Sequence, residues 1–163
     1  MNNLYNITIH IYIALIRVRA IFNSKSRLWI QGRKNIFYKL KKEIANSDNI
    51  VWVHCSSLGE FEQGKPVIFA YQEKYPNHNI LLTVFSPSAY EICRKEKSIK
   101  WVYYLPADTK SNAKKFINII NPIKVIFIKN ELWINYMCII KDKEIPFYLI
   151  CSIFNNSHLF IKN

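Results

Sequence analysis

The chain has 163 residues, half of them hydrophobic, which is enough to bury the core of one domain. Its net charge of +12 at pH 7 points to an anionic partner, either a nucleic acid or a membrane surface. The four cysteines lie far apart without metal-ligand spacing, which argues against a metal site and favours structural thiols in a reducing compartment: Cys55, Cys93, Cys138 and Cys151.

The N-terminal segment is apolar and then basic. The apolar run before Arg17 is shorter than the roughly 20 residues of a spanning helix, and it lacks the leading charge and small residues of a signal peptide. All charged residues from Arg17 to Lys42 are basic, and Glu43 is the first acidic residue. We expect residues 4–22 to form a helix on the cytoplasmic face of a membrane, within an N-terminal segment 1–27. The alternative is a buried first helix of the domain.

After residue 49, short β-rich runs alternate with helical stretches. This alternation predicts an α/β fold, a Rossmann-like parallel sheet with helices on both faces, over residues 28–163. The predicted strands are 50–54, 79–85, 100–105, 124–128 and 146–150, and the predicted helices are 60–75, 89–95, 109–120 and 131–141.

Ligands of open α/β sheets bind outside the carboxyl ends of the strands. The chain has neither a GxGxxG nor a Walker loop at any strand end. We expect the polar loops that follow the first four strands to form one site: residues 54–60, 86–89, 106–108 and 129–131.

Glu60 is the candidate for chemistry in the first loop. It follows a strand and begins a helix, whose positive end stabilises a carboxylate. A carboxylate there can act as a general base if it reaches the hydroxyl that it deprotonates. The alternative is an ordinary helix-start glutamate, with Ser56 or Ser57 as the cap.

Other polar residues have simpler interpretations. His54 fits a strand-end histidine with satisfied hydrogen bonds, and Asp108 fits a helix N-cap. Nucleic-acid binding requires exposed aromatic residues among the basic ones. Because Trp52, Trp101 and Trp133 fall in or beside predicted core segments, we expect no nucleic-acid partner.

Five stretches, in order and spacing, carry a family resemblance: Leu28–Lys34, His54–Gly64, Leu82–Ser88, Tyr104–Asp108 and Lys129–Trp133. From Leu4 to about Lys162 the chain resembles the N-terminal domain of the 3-deoxy-D-manno-octulosonic acid (Kdo) transferases, close to the variant of the Bacteroidetes group.

The resemblance implies the N-terminal half of a GT-B glycosyltransferase. Such an enzyme transfers Kdo from CMP-Kdo to a lipid A precursor, lipid IVA, at the cytoplasmic side of the inner membrane, without metal or cofactor. It implies that Glu60 is the general base, that Lys129 stabilises the transition state and that Glu131 supports it. The implied acceptor-binding residues are Ser56, Ser57, Gly59, Ser86 and Ser88.

The chain departs from the family pattern at several positions. Lys129 stands where many members have glutamate, Ala89 replaces a glycine, and Asn155 replaces an arginine. Alanine would be strained if its position required a positive φ. The chain stops at Asn163, where the family continues into the domain that binds CMP-Kdo. Three alternatives stay open: a separate C-terminal polypeptide supplies that domain, the sequence is a piece of a longer protein that contains it, or the chain is a non-catalytic remnant that binds only membrane and lipid A.

Overall fold

The computed structural model describes residues 2–129 and 132–150. Five strands form one sheet, parallel throughout, in the order β3-β2-β1-β4-β5. The α/β prediction with a Rossmann-like sheet is confirmed. The strands are β1 (Ile50–Cys55), β2 (Asn79–Val84), β3 (Trp101–Tyr104), β4 (Lys124–Ile128) and β5 (Phe147–Ile150). The helices are α1 (Asn2–Arg19), α2 (Ser24–Arg33), α3 (Ile36–Glu43), α4 (Leu58–Lys74), α5 (Pro87–Cys93), α6 (Lys110–Ile120) and α7 (Ile134–Asp142).

Strand β1 lies at the centre of the sheet, and all six of its residues are buried. Because successive side chains point to opposite faces, β1 serves two cores. Trp52 packs with α3, α6 and α7 on one face. Val51, Val53 and Cys55 pack with α4 and α5 on the other face. The near-continuous apolar character of β1 is therefore what a strand covered on both faces requires.

A hydroxyl side chain caps each of three helices that follow strands. α4 and α5 begin three residues after the preceding strand ends, and α6 begins six residues after β3 ends. Ser57 accepts a hydrogen bond from the N–H of Glu60 at the start of α4. Ser86 does the same for Ala89 in α5, and Thr109 for Asn112 in α6. Because each cap satisfies a backbone donor that the helix leaves free, the chain can turn sharply at the strand ends.

The N-terminal segment contains more structure than the sequence predicts. α1 ends at Arg19 rather than at residue 22, and α2 and α3 occupy much of the basic stretch that follows. Asn23 caps α2 by accepting from the N–H of Ser26. Asn35 separates α2 from α3 in the left-handed conformation that asparagine tolerates. The boundary after residue 27 stays a prediction, and α2 runs across it.

The cysteine prediction is only partly correct. The apolar runs around Cys55, Cys138 and Cys151 predict buried thiols, and Cys55 is buried as expected. Cys93 is buried as well, and burial raises its pKa to about 12. Cys138 is exposed on α7 and does not belong to the core, because its position on the helix faces solvent rather than the sheet. Cys151 lies outside the described residues.

Gly32 lets α2 approach β3 closely. A Cβ added at Gly32 would lie 2.1 Å from Cε2 of the Tyr104 ring. That ring cannot move freely, because it stacks on Tyr90 with the ring centroids 4.2 Å apart.

We therefore predict that Gly32→Ala lowers the free energy of unfolding by about 1–3 kcal/mol, the usual cost of overpacking. Gly59→Ala is the matched control, because a Cβ there has no atom within 4 Å. The control should be neutral or gain up to about 1 kcal/mol from helix propensity. Urea denaturation of both variants measures the difference, and equal stabilities would contradict the close approach.

Candidate functional site

The described parts of the chain that follows the first four strands meet at the carboxyl edge of the sheet, as predicted. The N–H of Ser86 donates to the carbonyl of Ser56 over 3.0 Å, which joins the loops after β2 and β1. The indole of Trp133 donates to His54 over 3.0 Å, which brings in the chain after β4. The Tyr136 hydroxyl donates to the carbonyl of Pro106 over 3.0 Å, which adds the loop after β3. Asn130 and the predicted site residue Glu131 lie outside the described residues.

Glu60 is buried in the first turn of α4 and forms a capping box with Ser57. Its Oε2 accepts from the N–H of Ser56 at 2.6 Å and from the N–H of Ser57 at 3.3 Å. In return, the Ser57 hydroxyl accepts from the N–H of Glu60 at 3.3 Å. The capping box engages Oε2 of the carboxylate. Glu60 therefore fills the structural role of a helix-start glutamate, and its second oxygen remains outside the capping box.

His54 is buried at the end of β1, and its hydrogen bonds fix its tautomer. An indole N–H can only donate, so Nε2 of His54 must accept from Trp133. Nδ1 then carries the proton and donates to Thr83, whose carbonyl oxygen lies at 3.1 Å and hydroxyl at 2.9 Å. Burial lowers the pKa of His54 to about 3. The interpretation of His54 as a satisfied strand-end histidine is confirmed.

Thr83 extends this network into the core. Its hydroxyl accepts the indole N–H of Trp52 over 2.7 Å and donates to the carbonyl of Val53 over a longer 3.4 Å. The Ser56 hydroxyl also lies 2.9 Å from Nε2 of His54. Hydrogen bonds through His54 thus connect the loop that leads into α4 and Glu60 to the middle of the sheet.

Asp108 caps a helix, but not the one that follows it in the chain. Thr109 is the N-cap of α6. The buried carboxylate of Asp108 instead accepts from the N–H groups of Asn135 and Tyr136, at 3.1 Å each, in the first turn of α7. Burial raises its pKa, opposed by these bonds and by one from the Tyr5 hydroxyl. The prediction of a local cap was wrong because the donors are 27 and 28 residues away.

Arg33 lies in the matching stretch Leu28–Lys34, and the sequence predicts no role for it. Its guanidinium donates to the carbonyls of Trp29 at 3.0 Å, Phe85 at 3.0 Å and Leu105 at 2.8 Å. It also lies 3.9 Å from the centroid of the Trp29 ring. Burial lowers the pKa of Arg33 to about 9. Arg33 thus holds together α2 and the loops after β2 and β3, and no local pattern around it reveals these partners.

The predicted acceptor-binding residues differ in accessibility. Ser57, Gly59 and Ser88 are exposed, Ser86 is half-buried and Ser56 is buried. The Ser86 and Ser88 hydroxyls lie 3.3 Å apart. The space beside Gly59 is open, so a ligand could approach the backbone there.

Lys129 and Ala89 differ in backbone conformation. Lys129, at the end of β4, has φ 65°, which is unfavourable for a residue with a Cβ, and its N–H donates to the carbonyl of Ile150 over 2.8 Å. Ala89 lies buried in α5 and is not among the residues with positive φ. The strain expected for alanine at this position does not arise.

Among the described residues, no group of three His, Cys, Asp or Glu could hold a metal.

The buried imidazole generates a prediction about pH. The pKa of His54 is about 3 in the folded chain, against 6.5 for an unperturbed histidine, so the unfolded chain binds more protons in this window. The contribution of the neutral His54 to the free energy of unfolding is complete above pH 6.5. It falls by about 1.4 kcal/mol per pH unit as the pH drops below 6.5.

We expect urea midpoints between pH 7 and 5 to fall more steeply for the native chain than for His54→Asn, which does not titrate. In the native chain, ¹⁵N chemical shifts should show a neutral Nδ1–H imidazole at pH 5. A protonated His54 at that pH would contradict the assignment.

Comparison with known proteins identifies the family. Residues 17–159 match the profile of the 3-deoxy-D-manno-octulosonic-acid transferase (kdotransferase) family. A relative from Haemophilus influenzae named 3-deoxy-D-manno-octulosonic acid transferase is 30% identical over 61% of this chain and 23% of its own length. The Aquifex aeolicus protein of the same name is 33% identical over 57% of this chain and 26% of its own length.

A bifunctional glycosyltransferase/methyltransferase from Fusobacterium nucleatum is 29% identical over 81% of this chain and 20% of its own length. The chain thus spans about a fifth to a quarter of the length of these curated relatives. Because the family profile matches most of the chain, and the parallel sheet agrees with the N-terminal half of a GT-B glycosyltransferase, this protein belongs to the 3-deoxy-D-manno-octulosonic-acid transferase family.

Proposed function

We propose that this chain is the acceptor-binding half of a glycosyltransferase that moves Kdo from CMP-Kdo to a lipid A precursor. The observation that carries the proposal is the placement of Glu60. Its carboxylate lies at the N-terminus of α4, at the edge where the loops after four parallel strands meet. That edge is where open α/β sheets bind their substrates.

Two effects would let Glu60 act as the base. The N–H groups of Ser56 and Ser57 hold Oε2 and thereby fix the direction of the carboxylate. Oε1 lies outside the capping box and is the oxygen proposed to take the proton from the acceptor hydroxyl. As that hydroxyl oxygen bonds to the anomeric carbon of Kdo, the bond from this carbon to the phosphate oxygen would break and CMP would leave with the electron pair. CMP-Kdo would be held mainly by the C-terminal domain that completes the enzyme, and Lys129 would supply positive charge for the transition state.

The capping role and the base role can be separated by substitution. Glutamine retains a side-chain acceptor at this capping-box position, whereas alanine has none. Glu60→Gln should therefore leave the free energy of unfolding within about 0.5 kcal/mol, and Glu60→Ala should lower it by about 0.5–2 kcal/mol, the cost of a lost cap.

In the enzyme assembled with a donor-binding domain, Glu60→Gln and Glu60→Ala should both reduce turnover by about 10²–10⁴. Binding of the lipid A precursor should change little, because a base acts mainly in the transition state. Near-normal turnover of Glu60→Gln would leave Glu60 as a helix cap only. If the assembled enzyme with the native Glu60 bound the lipid A precursor but showed no transfer, the alternative of a non-catalytic binding module would be favoured instead.

We further propose that α1 lies on an anionic membrane surface at the cytoplasmic side of the inner membrane. A stripe of apolar residues at helical spacing, each between 54% and 71% exposed, consists of Leu4, Ile7, Ile11, Leu15 and Val18. Arg17 and Arg19 lie in the last turn of α1. Exposed apolar residues beside cations are typical of helices that lie in the interface. No helix in the described part of the chain is long and apolar enough to cross a membrane.

The exposed stripe yields a binding prediction. Replacing Ile11 and Leu15 by serine should weaken binding to phosphatidylglycerol vesicles by at least about tenfold, because two apolar side chains no longer enter the bilayer. The matched control replaces Val67 and Ile92 by serine. These are exposed apolar residues of α4 and α5, and this variant should bind normally. Raising the salt to 1 M should also weaken binding. Vesicle binding that is equal in both double variants would exclude α1 as the contact.

A further inference from the structure

A cavity of about 530 Å³ lies between α1, α2, the start of α3 and the loop after β3. One part of its wall is apolar and includes Ile13, Ile36, Phe37, Pro106 and Ala107. Since an apolar cavity wall favours an apolar occupant, the lining selects a hydrocarbon group rather than a freely hydrated ion.

Another part of the wall is cationic. Arg17, Arg33 and Lys34 line the cavity, and no carboxylate does. Arg17 and Lys34 are exposed and form no ion pair with any residue that the structure describes. The hydrogen bonds of Arg33 go to backbone carbonyls, which leave its charge uncompensated. Three cations without a counter-charge beside an apolar wall are complementary to an anionic amphiphile.

Trp29 gives a second indication that this cavity binds a ligand. The indole Nε1 of Trp29, in the same cavity wall, is the buried side-chain polar atom that has no hydrogen-bond partner among the described residues. An unsatisfied buried donor costs about 1–3 kcal/mol, and such a donor is often explained by a missing partner.

The cavity adjoins both proposed functional surfaces. α1 contributes Ile13 and Arg17 to the cavity and carries the apolar stripe proposed to face the membrane. Arg33 connects the cavity to the loops, since it donates to the carbonyl of Phe85. The Phe85 ring lies 4.9 Å from the ring of Trp133, which bonds His54.

We propose that this cavity binds one acyl chain of a phosphate-bearing anionic lipid, with the chain against the apolar wall and the phosphate beside Arg17 and Lys34. The inference rests on the proposed acceptor-binding function and deepens it by naming the residues that recognise the lipid. An occupant held here would lie beside Arg33, which donates to the carbonyl of Phe85 in the loop after β2.

The test is a titration of the full chain with octanoyl lysophosphatidic acid, at concentrations where this short lipid is monomeric. The NMR signals of the indole N–H groups report the site, since Trp29 lines the cavity. We expect saturable binding with a shift of the Trp29 signal. Octyl glucoside, which lacks the phosphate, and inorganic phosphate, which lacks the chain, should each bind at least about tenfold more weakly. The proposal would be overturned if either compound bound as tightly as octanoyl lysophosphatidic acid, or if octanoyl lysophosphatidic acid itself showed no saturable binding.

Matched variants identify the cations. Arg17→Gln and Lys34→Gln should each weaken binding of octanoyl lysophosphatidic acid by about fivefold, the typical effect of one cation near an anionic group. Lys25→Gln removes an exposed charge of α2 that does not line the cavity, and should bind normally. An equal loss in all three variants would indicate diffuse attraction and overturn the assignment.

The experiment also separates this inference from the proposed reaction. Glu60→Gln should abolish most transfer in the assembled enzyme and still bind octanoyl lysophosphatidic acid, since Glu60 does not line the cavity. If Glu60→Gln retained transfer while lipid binding depended on Arg17 and Lys34, the role of Glu60 would fail and the cavity assignment would stand.

Discussion

The buried imidazole of His54 is the constraint on which the arrangement of the site depends. It accepts the indole N–H of Trp133 and donates to Thr83 on the neighbouring strand. A fully buried imidazole resists protonation, so it keeps one neutral tautomer with one donor and one acceptor position. This fixed polarity determines which partners can bind on each side, and it joins β1, β2 and the chain after β4 at one edge.

Arg33 and Asp108, like His54, join separate segments by hydrogen bonds from a buried side chain, and the segments that they join include helices. Arg33 connects α2 to the chain that follows β2 and β3 by donating to carbonyls on three separate segments. Asp108 supplies the cap that α7 lacks locally and receives the Tyr5 hydroxyl of α1. Since each buried charged side chain has several hydrogen bonds, burial does not leave its polar groups unsatisfied. The N-terminal helices are thereby attached to the edge of the sheet that carries the loops.

This arrangement relates the two proposed surfaces of the molecule. α1 has one side against the domain, through Tyr5 and Tyr12, and an apolar stripe exposed on the other. The cavity beside Arg17 lies along the same helix, and the Glu60 loop lies beyond Phe85 and Trp133. A lipid-linked acceptor held at a membrane surface would need these three features close together. The aromatic contacts of Phe85 with Trp29 and Trp133 provide that connection.

The sequence by itself determined the order of strands and helices after residue 49 and offered Ser57 as a cap of α4, because apolar periodicity and capping residues are local signals. Parallel topology then placed the polar loops at one edge, and the family resemblance singled out Glu60. Only the tertiary structure revealed the partners of His54, Arg33 and Asp108. Most of those partners lie between 27 and 103 residues away, and hydrogen bonds over such separations leave no periodic pattern in the chain. Exposure of the α1 stripe was likewise decided by packing, since an apolar helix can be buried or exposed according to what lies against it.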